Sequence, residues 1–192
     1  MTPQSELLNR NKAFASSFDK ADLPILPTLQ TLIIACLDAR TDPAHLFGLE
    51  LGDAVVIRNT GGRVTRAVIE EIATLAALVR AATNGQEPRF NVILMQHTQC
   101  GAQRLAQPEM HAMMKDKMGI DVSEYAIQDQ RSDLMGDIDR LCAAAQVPGG
   151  ISVSATLYDV ATGLVEEIAP AKPLQDWRAE RVPTSTPTSA TL

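Results

Sequence analysis

Aromatic residues are scarce in this sequence, 4% of 192 positions, so a pocket for a small molecule must be lined largely by aliphatic side chains. Long apolar runs are absent too, and none approaches the roughly 18 residues of a membrane-spanning helix. There is no Lys/Arg-rich stretch and the formal net charge is -6 at pH 7. Both features argue against nucleic acid or an anionic membrane as partner and leave a small molecule or another protein. The first residues, MTPQSELLNRNKAF, lack the cationic segment followed by an apolar one that marks a secreted chain, and the expected location is cytoplasmic. Cysteine occurs only three times. An odd number without a secretion signal reads as thiols or metal ligands rather than as a disulfide framework. No GxGxxG loop for a dinucleotide occurs, and there is no internal repeat.

What is present suffices for one domain: 45% of the residues are hydrophobic, enough for a single core at this length. TLIIAC (31–36), DAVVIRN (53–59) and FNVILMQH (90–97) are short apolar runs of the kind expected for strands buried on both faces. Between the last two, Val64, Val68, Ile72, Leu75 and Val79 recur every three or four residues and predict an amphipathic helix that Asn84-Gly85 ends. A strand-helix-strand unit of this size implies a parallel pair with a right-handed crossover. Residues 103–146 are more polar and read as helical, with Met110, Met113, Met114 and Met118 close together as a helix face, a mobile flap or a subunit contact. ISVSATLYDVATGLVEEI (151–168) predicts a strand, a turn at Thr162-Gly163 and a second short strand. LPILPTL reads as an extended lead-in, and VPTSTPTSATL (182–192) as a flexible tail.

Chemistry-bearing residues gather at two strand ends. IIACLDAR (33–40) runs from an apolar strand straight into Cys36, Asp38 and Arg40. LMQHTQCG (94–101) ends another strand with His97 and Cys100, three apart and able to share one metal ion. Zinc takes thiolate and imidazole ligands tetrahedrally, and catalytic sites use three protein ligands with one open position. The carboxyl ends of neighbouring parallel strands meet at one crevice, which makes Cys36 the third ligand, with Asp38 and Arg40 lining the metal. Each residue also has a plainer reading: Cys36 as a small buried hydrophobe, Asp38 and Arg40 as an exposed ion pair. Gly61 and Gly62 in RNTGGRVT either present backbone N–H groups to an oxyanion such as bicarbonate or make a tight turn that needs positive φ. His45 and His111 read as surface residues, and Cys142 as core packing.

CLDAR followed by HTQCG resembles the zinc motif of the β-class carbonic anhydrases, Cys-x-Asp-x-Arg with His-x-x-Cys, and GDAVVIRNTGGRVT resembles the stretch between the two halves. The similarity runs from about Thr31 to Ile168, and LYDVATGLVEEI looks like the closing hairpin of the family's small members, especially the short branch that includes carbonyl sulfide hydrolase. The resemblance implies an α/β single domain with a mostly parallel central sheet flanked by helices. It assigns zinc to Cys36, His97 and Cys100, and the catalytic dyad to Asp38 and Arg40. The implied organisation is an N-terminal helical arm and lead-in (1–30), a zinc-binding catalytic domain (31–170) and a flexible tail (171–192). The implied reaction is reversible hydration of carbon dioxide by a zinc-bound hydroxide. Hydrolysis of carbonyl sulfide or carbon disulfide at the same site is the alternative, and a non-catalytic zinc-binding protein the second. Homodimers or higher homo-oligomers are implied as well, with SELLNRNKAFASSF as the partner-embracing helix. Where many members have Asp, this chain has Gln99.

Overall fold

The computed structural model describes residues 2–181. Five strands form one sheet: β1 (Thr31–Cys36), β2 (Ala54–Asn59), β3 (Asn91–His97), β4 (Ser152–Tyr158) and β5 (Val165–Pro173). Their order is β2-β1-β3-β4-β5. The first four are parallel and only β5 runs antiparallel, paired with β4 as the hairpin predicted from the turn at Thr162-Gly163. β1 lies between β2 and β3, so the chain leaves it on one side and returns on the other. That is a topological switch point, and the crevice such a point opens lies at the carboxyl ends of the strands.

Burial explains the strands. Leu32, Ile33, Ile34 and Ala35 are all buried, and alternate residues enter different clusters. Burying each Leu or Ile stabilises the fold by about 1.5–3 kcal/mol. On one side, Leu32, Ile34, Val92, Leu94, Val153 and Ala155 share a core with residues of α3 (Arg66–Ala82), α5 (Gln130–Ala143) and α6 (Leu174–Arg181). α3 is the helix foreseen from the spacing. Thr65 caps it by accepting from the Val68 amide, and Val68, Ile72 and Ala76 are its buried face. On the other side, Ile33, Ala35, Met95 and Tyr158 form a smaller cluster that includes Leu46 of the short α2 (Pro43–Phe47).

α1 (Pro3–Ala15) buries no residue against its own chain, and neither does α4 (Pro108–Met118), which carries the methionine group. Among the described residues no helix is long and apolar enough to cross a membrane.

The C-terminal region differs from the flexible tail expected from residue 171. β5 continues to Pro173, and α6 follows with Leu174 and Trp177 buried. Trp177 Nε1 donates to the Val153 carbonyl at 3.0 Å, and Arg178 donates to the carbonyls of Cys142, Ala144 and Val147. A segment that looks polar in sequence is ordered because one large ring and one guanidinium find partners on the core. The Pro/Ser/Thr-rich stretch 182–192 lies outside the described residues.

Candidate metal centre and active site

Cys36 is the last residue of β1 and His97 the last of β3. After His97 the chain turns through Gln99, whose φ of 54° is left-handed. This turn brings Cys100 back toward β1. Asp and Asn tolerate that conformation better than Gln, a physical reason why Asp is common there in the resembling family. Thr98 ties the turn to the end of β4: its amide donates to the Tyr158 carbonyl and its hydroxyl to Asp159.

Three potential donor atoms, one each from Cys36, His97 and Cys100, converge within 4.8 Å of one another, and all three residues are buried. The sulfurs are 3.7 Å apart and form no disulfide. His97 Nδ1 lies 2.9 Å from the Thr98 carbonyl, which can only accept, so Nδ1 carries the proton. That leaves a lone pair on Nε2, which is buried and without a hydrogen-bond partner. Burying an unpaired polar atom is unfavourable, and a metal ion bound among these three donors would satisfy this one. A histidine whose second nitrogen donates to a backbone carbonyl is the arrangement metal ligands adopt. The Cys36 thiol is pulled well below its ordinary value, first by its hydrogen bond with Cys100 and then by the backbone amides of Asp38 and Gly61, with burial opposing. Cys100 is correspondingly pushed up, because the pair shares one proton. Two sulfurs and an imidazole are a donor set that suits zinc.

Asp38 stands beside these atoms, its Oδ2 4.0 Å from His97 Nε2. Arg40 holds the carboxylate in a fork: Nε donates to Oδ1 at 3.0 Å and Nη2 to Oδ2 at 2.7 Å, while the Arg40 amide donates to Oδ1 at 2.9 Å. Nη2 also reaches the Gln99 carbonyl at 3.3 Å, which links the two halves of the site. The Arg40 side chain is the chief reason the Asp38 carboxyl titrates well below the usual carboxylate range.

A cavity of about 240 Å³ opens on the group, lined by Cys36, Leu37, Asp38, Thr60, Gly61, Gly101, Ala102 and Leu105. Its walls are aliphatic, as the scarcity of aromatics led one to expect. Gly61 and Gly62 both have positive φ. They do not cap α3, whose N-cap is Thr65. A Cβ on Gly62 would stand 2.8 Å from the Met95 carbonyl oxygen and 2.9 Å from the Cys36 nitrogen. His45 is exposed and His111 faces Asp121, while Cys142 is half-buried.

Sequence reasoning missed the supports of the site. Thr41, fully buried, donates from its hydroxyl to the Asp38 carbonyl at 3.0 Å. Gln130 donates to the His97 carbonyl at 3.3 Å. Buried Arg63 pairs with Asp137 at 2.9 Å and Asp133 at 3.0 Å and donates to the Ala126 carbonyl. That contact holds the neighbouring Ile127 in the cluster around Cys36 and Cys100. These groups act on main chain or on one another, so no motif signals them.

Residues 31–121 match the family model described as carbonic anhydrase. β-Carbonic anhydrase 1 of Mycobacterium tuberculosis is 31% identical over 172 residues, covering 88% of this chain and 100% of the relative. The crystal structure of a carbonic anhydrase from Streptococcus mutans superposes with a TM-score of 0.71 at 30% identity, covering 88% of this chain and 98% of that one. The apo form of a carbon disulfide hydrolase shares the fold, with a TM-score of 0.53 at 20% identity over 98% of this chain and 96% of that one. With full-length similarity to curated members on top of the matching sheet, the chain belongs to the β-carbonic anhydrase family.

Proposed function

We propose that the protein catalyses the reversible hydration of carbon dioxide to bicarbonate, with zinc held by Cys36, His97 and Cys100. Membership in the family supports a lyase acting on carbon dioxide in general. The observation that carries the assignment to these residues is the unpartnered, buried Nε2 of His97, converging with two cysteine sulfurs beside an arginine-held carboxylate. Zinc bound there would supply Lewis acidity, bringing the pKa of a coordinated water toward neutrality, less strongly than in an all-histidine site because two thiolates offset its charge.

The remaining roles belong to the chain. Asp38 is ionised throughout the physiological range and can only accept hydrogen bonds, so it orients the attacking oxygen by taking the hydrogen bond that oxygen offers. Arg40 occupies both carboxylate oxygens and keeps Asp38 from becoming a further metal ligand. Leu37, Ala102 and Leu105 give a linear apolar substrate an aliphatic wall. Gly61 lines the cavity, and a Cβ on Gly62 would meet the Met95 carbonyl and the Cys36 nitrogen, so we assign the pair to the cavity wall and close backbone contact rather than to an oxyanion. An intact dyad sets this reading above that of a non-catalytic zinc protein.

A second reading at the same site, hydrolysis of carbonyl sulfide or carbon disulfide, is favoured by the cavity: about 240 Å³ with an aliphatic lining accommodates linear molecules longer than carbon dioxide. We also infer self-association and a cytoplasmic location, the latter because three free cysteines suit a reducing compartment. Turnover of carbon dioxide and of carbonyl sulfide on one zinc-loaded preparation tests the choice. Carbon dioxide is expected to have the larger kcat/KM, and a larger value for carbonyl sulfide would reverse the assignment.

A further inference from the structure

The turn between Cys36, the last residue of β1, and Asp42 carries both members of the dyad, and beyond the Leu37 amide, which donates to the Asn59 carbonyl at 2.9 Å, it has left the β-ladder. Its carbonyls therefore need other partners. Arg58, half-buried near the end of β2 and in register with Ala35 of β1, supplies them. Its Nε donates to the Cys36 carbonyl at 3.0 Å, its Nη2 to the Asp38 carbonyl at 2.6 Å and its Nη1 to Asp42 Oδ2 at 3.0 Å. Asp42 in turn accepts from the Ala44 amide through its other oxygen and so caps α2. One planar guanidinium thus grips the beginning, the middle and the end of the turn.

From this geometry we infer that Arg58 is a positioning residue for the Asp38–Arg40 dyad. None of its hydrogen bonds goes to a side-chain atom of Asp38 or Arg40. It fixes the backbone from which Asp38 projects, on the sheet side, while Arg40 holds the carboxylate from the more exposed side. Thr41 adds to this grip, its amide and hydroxyl on the Asp38 carbonyl at 3.0 Å and its hydroxyl more weakly on the Cys36 carbonyl at 3.4 Å, but it makes no hydrogen bond to Asp42 at the far end of the turn. Only a rigid fork of several donors serves three acceptors at once, which a lysine ammonium on a flexible stem does not. A misplacement of about 1 Å in such a support can lower turnover on the order of 10²-fold.

The inference rests on the reading of Asp38 as catalytic, and its test separates the two. Arg58→Ala, Arg58→Lys and Asp38→Asn are compared with wild type as zinc-loaded proteins, by metal content, carbon dioxide kinetics and amide hydrogen exchange over residues 37–42. Arg58→Ala is expected to keep its metal, to exchange about tenfold faster over that segment, and to lose kcat on the order of tenfold or more while KM moves less than about threefold. Free guanidinium at low millimolar concentration should restore part of that kcat and leave wild type unchanged. An arginine of merely structural importance would lower the unfolding midpoint and leave kcat of the folded, metal-loaded enzyme intact, a result that overturns the proposal, as does unchanged exchange over 37–42. Should Arg58→Ala not fold, Arg58→Lys decides: an intermediate loss of kcat supports the positioning role and wild-type kcat overturns it. Wild-type turnover in Asp38→Asn overturns the reading of the dyad, and this proposal with it. Wild-type turnover in Arg58→Ala alone overturns only the proposal.

Discussion

Asp38 is the residue at which structure and chemistry can be pulled apart. It shares the site with three donor atoms that can hold a metal without it, so Asp38→Asn is expected to retain zinc and yet lower turnover by a factor on the order of 10² or more, as for a lost orienting group. Metal analysis and carbon dioxide kinetics on one sample check both halves. Arg40→Ala should also lose activity, because a carboxylate released from its fork is free to move onto the metal. The sign of the pH effect follows from the depressed Asp38 carboxyl. Support from the fork is present above the unfolded value of about 3.9 and fades as pH falls through the lower folded value. Arg40→Ala therefore narrows the stability difference from wild type only in strong acid. Residue types at strand ends made Cys36, His97 and Cys100 legible in the sequence. Arg58 carried one weak signal, a charge inside an otherwise apolar strand. Thr41 carried none, since it serves backbone carbonyls that any sequence possesses.

Among the elements, β1 and β3 were readable as short continuous apolar runs buried on both faces, and α3 because its apolar residues recur with the helical period. α6 was not, because its order depends on Leu174 and Trp177 reaching a core built by distant segments. The turn between β2 and α3 was ambiguous in sequence: paired glycines suit either an oxyanion or close backbone contact. The structure displays the contact. Gly62→Ala would place a Cβ against the Met95 carbonyl and the Cys36 amide nitrogen at a φ of +63°. It should destabilise by roughly 3 kcal/mol or more and weaken metal retention. Gly48→Ala is the matched control, with φ of +62° but nothing within 4 Å of the new Cβ, and should cost only about 1–2 kcal/mol. Denaturant unfolding of the two variants, with metal content measured alongside, distinguishes a crowded glycine from a merely left-handed one.

At the scale of the whole molecule, the exposed N-terminal helix is the feature that motivates the proposed oligomer. A helix of 13 residues that buries nothing is marginal in water without tertiary contacts. Leu7, Leu8, Phe14, Phe18 and Ile25 are exposed around it and its lead-out. A second copy of the chain is the cover that the proposed oligomer supplies. Sedimentation should give at least a dimer at assay concentration. Phe14→Glu should weaken association at least tenfold while changing the unfolding of the individual chain far less, since Phe14 is half exposed and its ring packs only on the similarly exposed Phe18. A wild-type monomer with full activity would contradict this. The sequence carried the family motifs and the expectation of a partner-embracing helix, while the exposure of that helix is visible only in the folded chain.

The central claim is that Cys36, His97 and Cys100 form the metal centre of a carbon dioxide hydratase. Elemental analysis of zinc in purified wild type and in Cys36→Ser, His97→Ala, Cys100→Ser and Cys142→Ser tests it most directly, with activity measured on the same preparations. One zinc per chain is expected in wild type and in Cys142→Ser, and loss of both zinc and activity in the other three. Stoichiometric zinc with wild-type turnover in Cys36→Ser would contradict it.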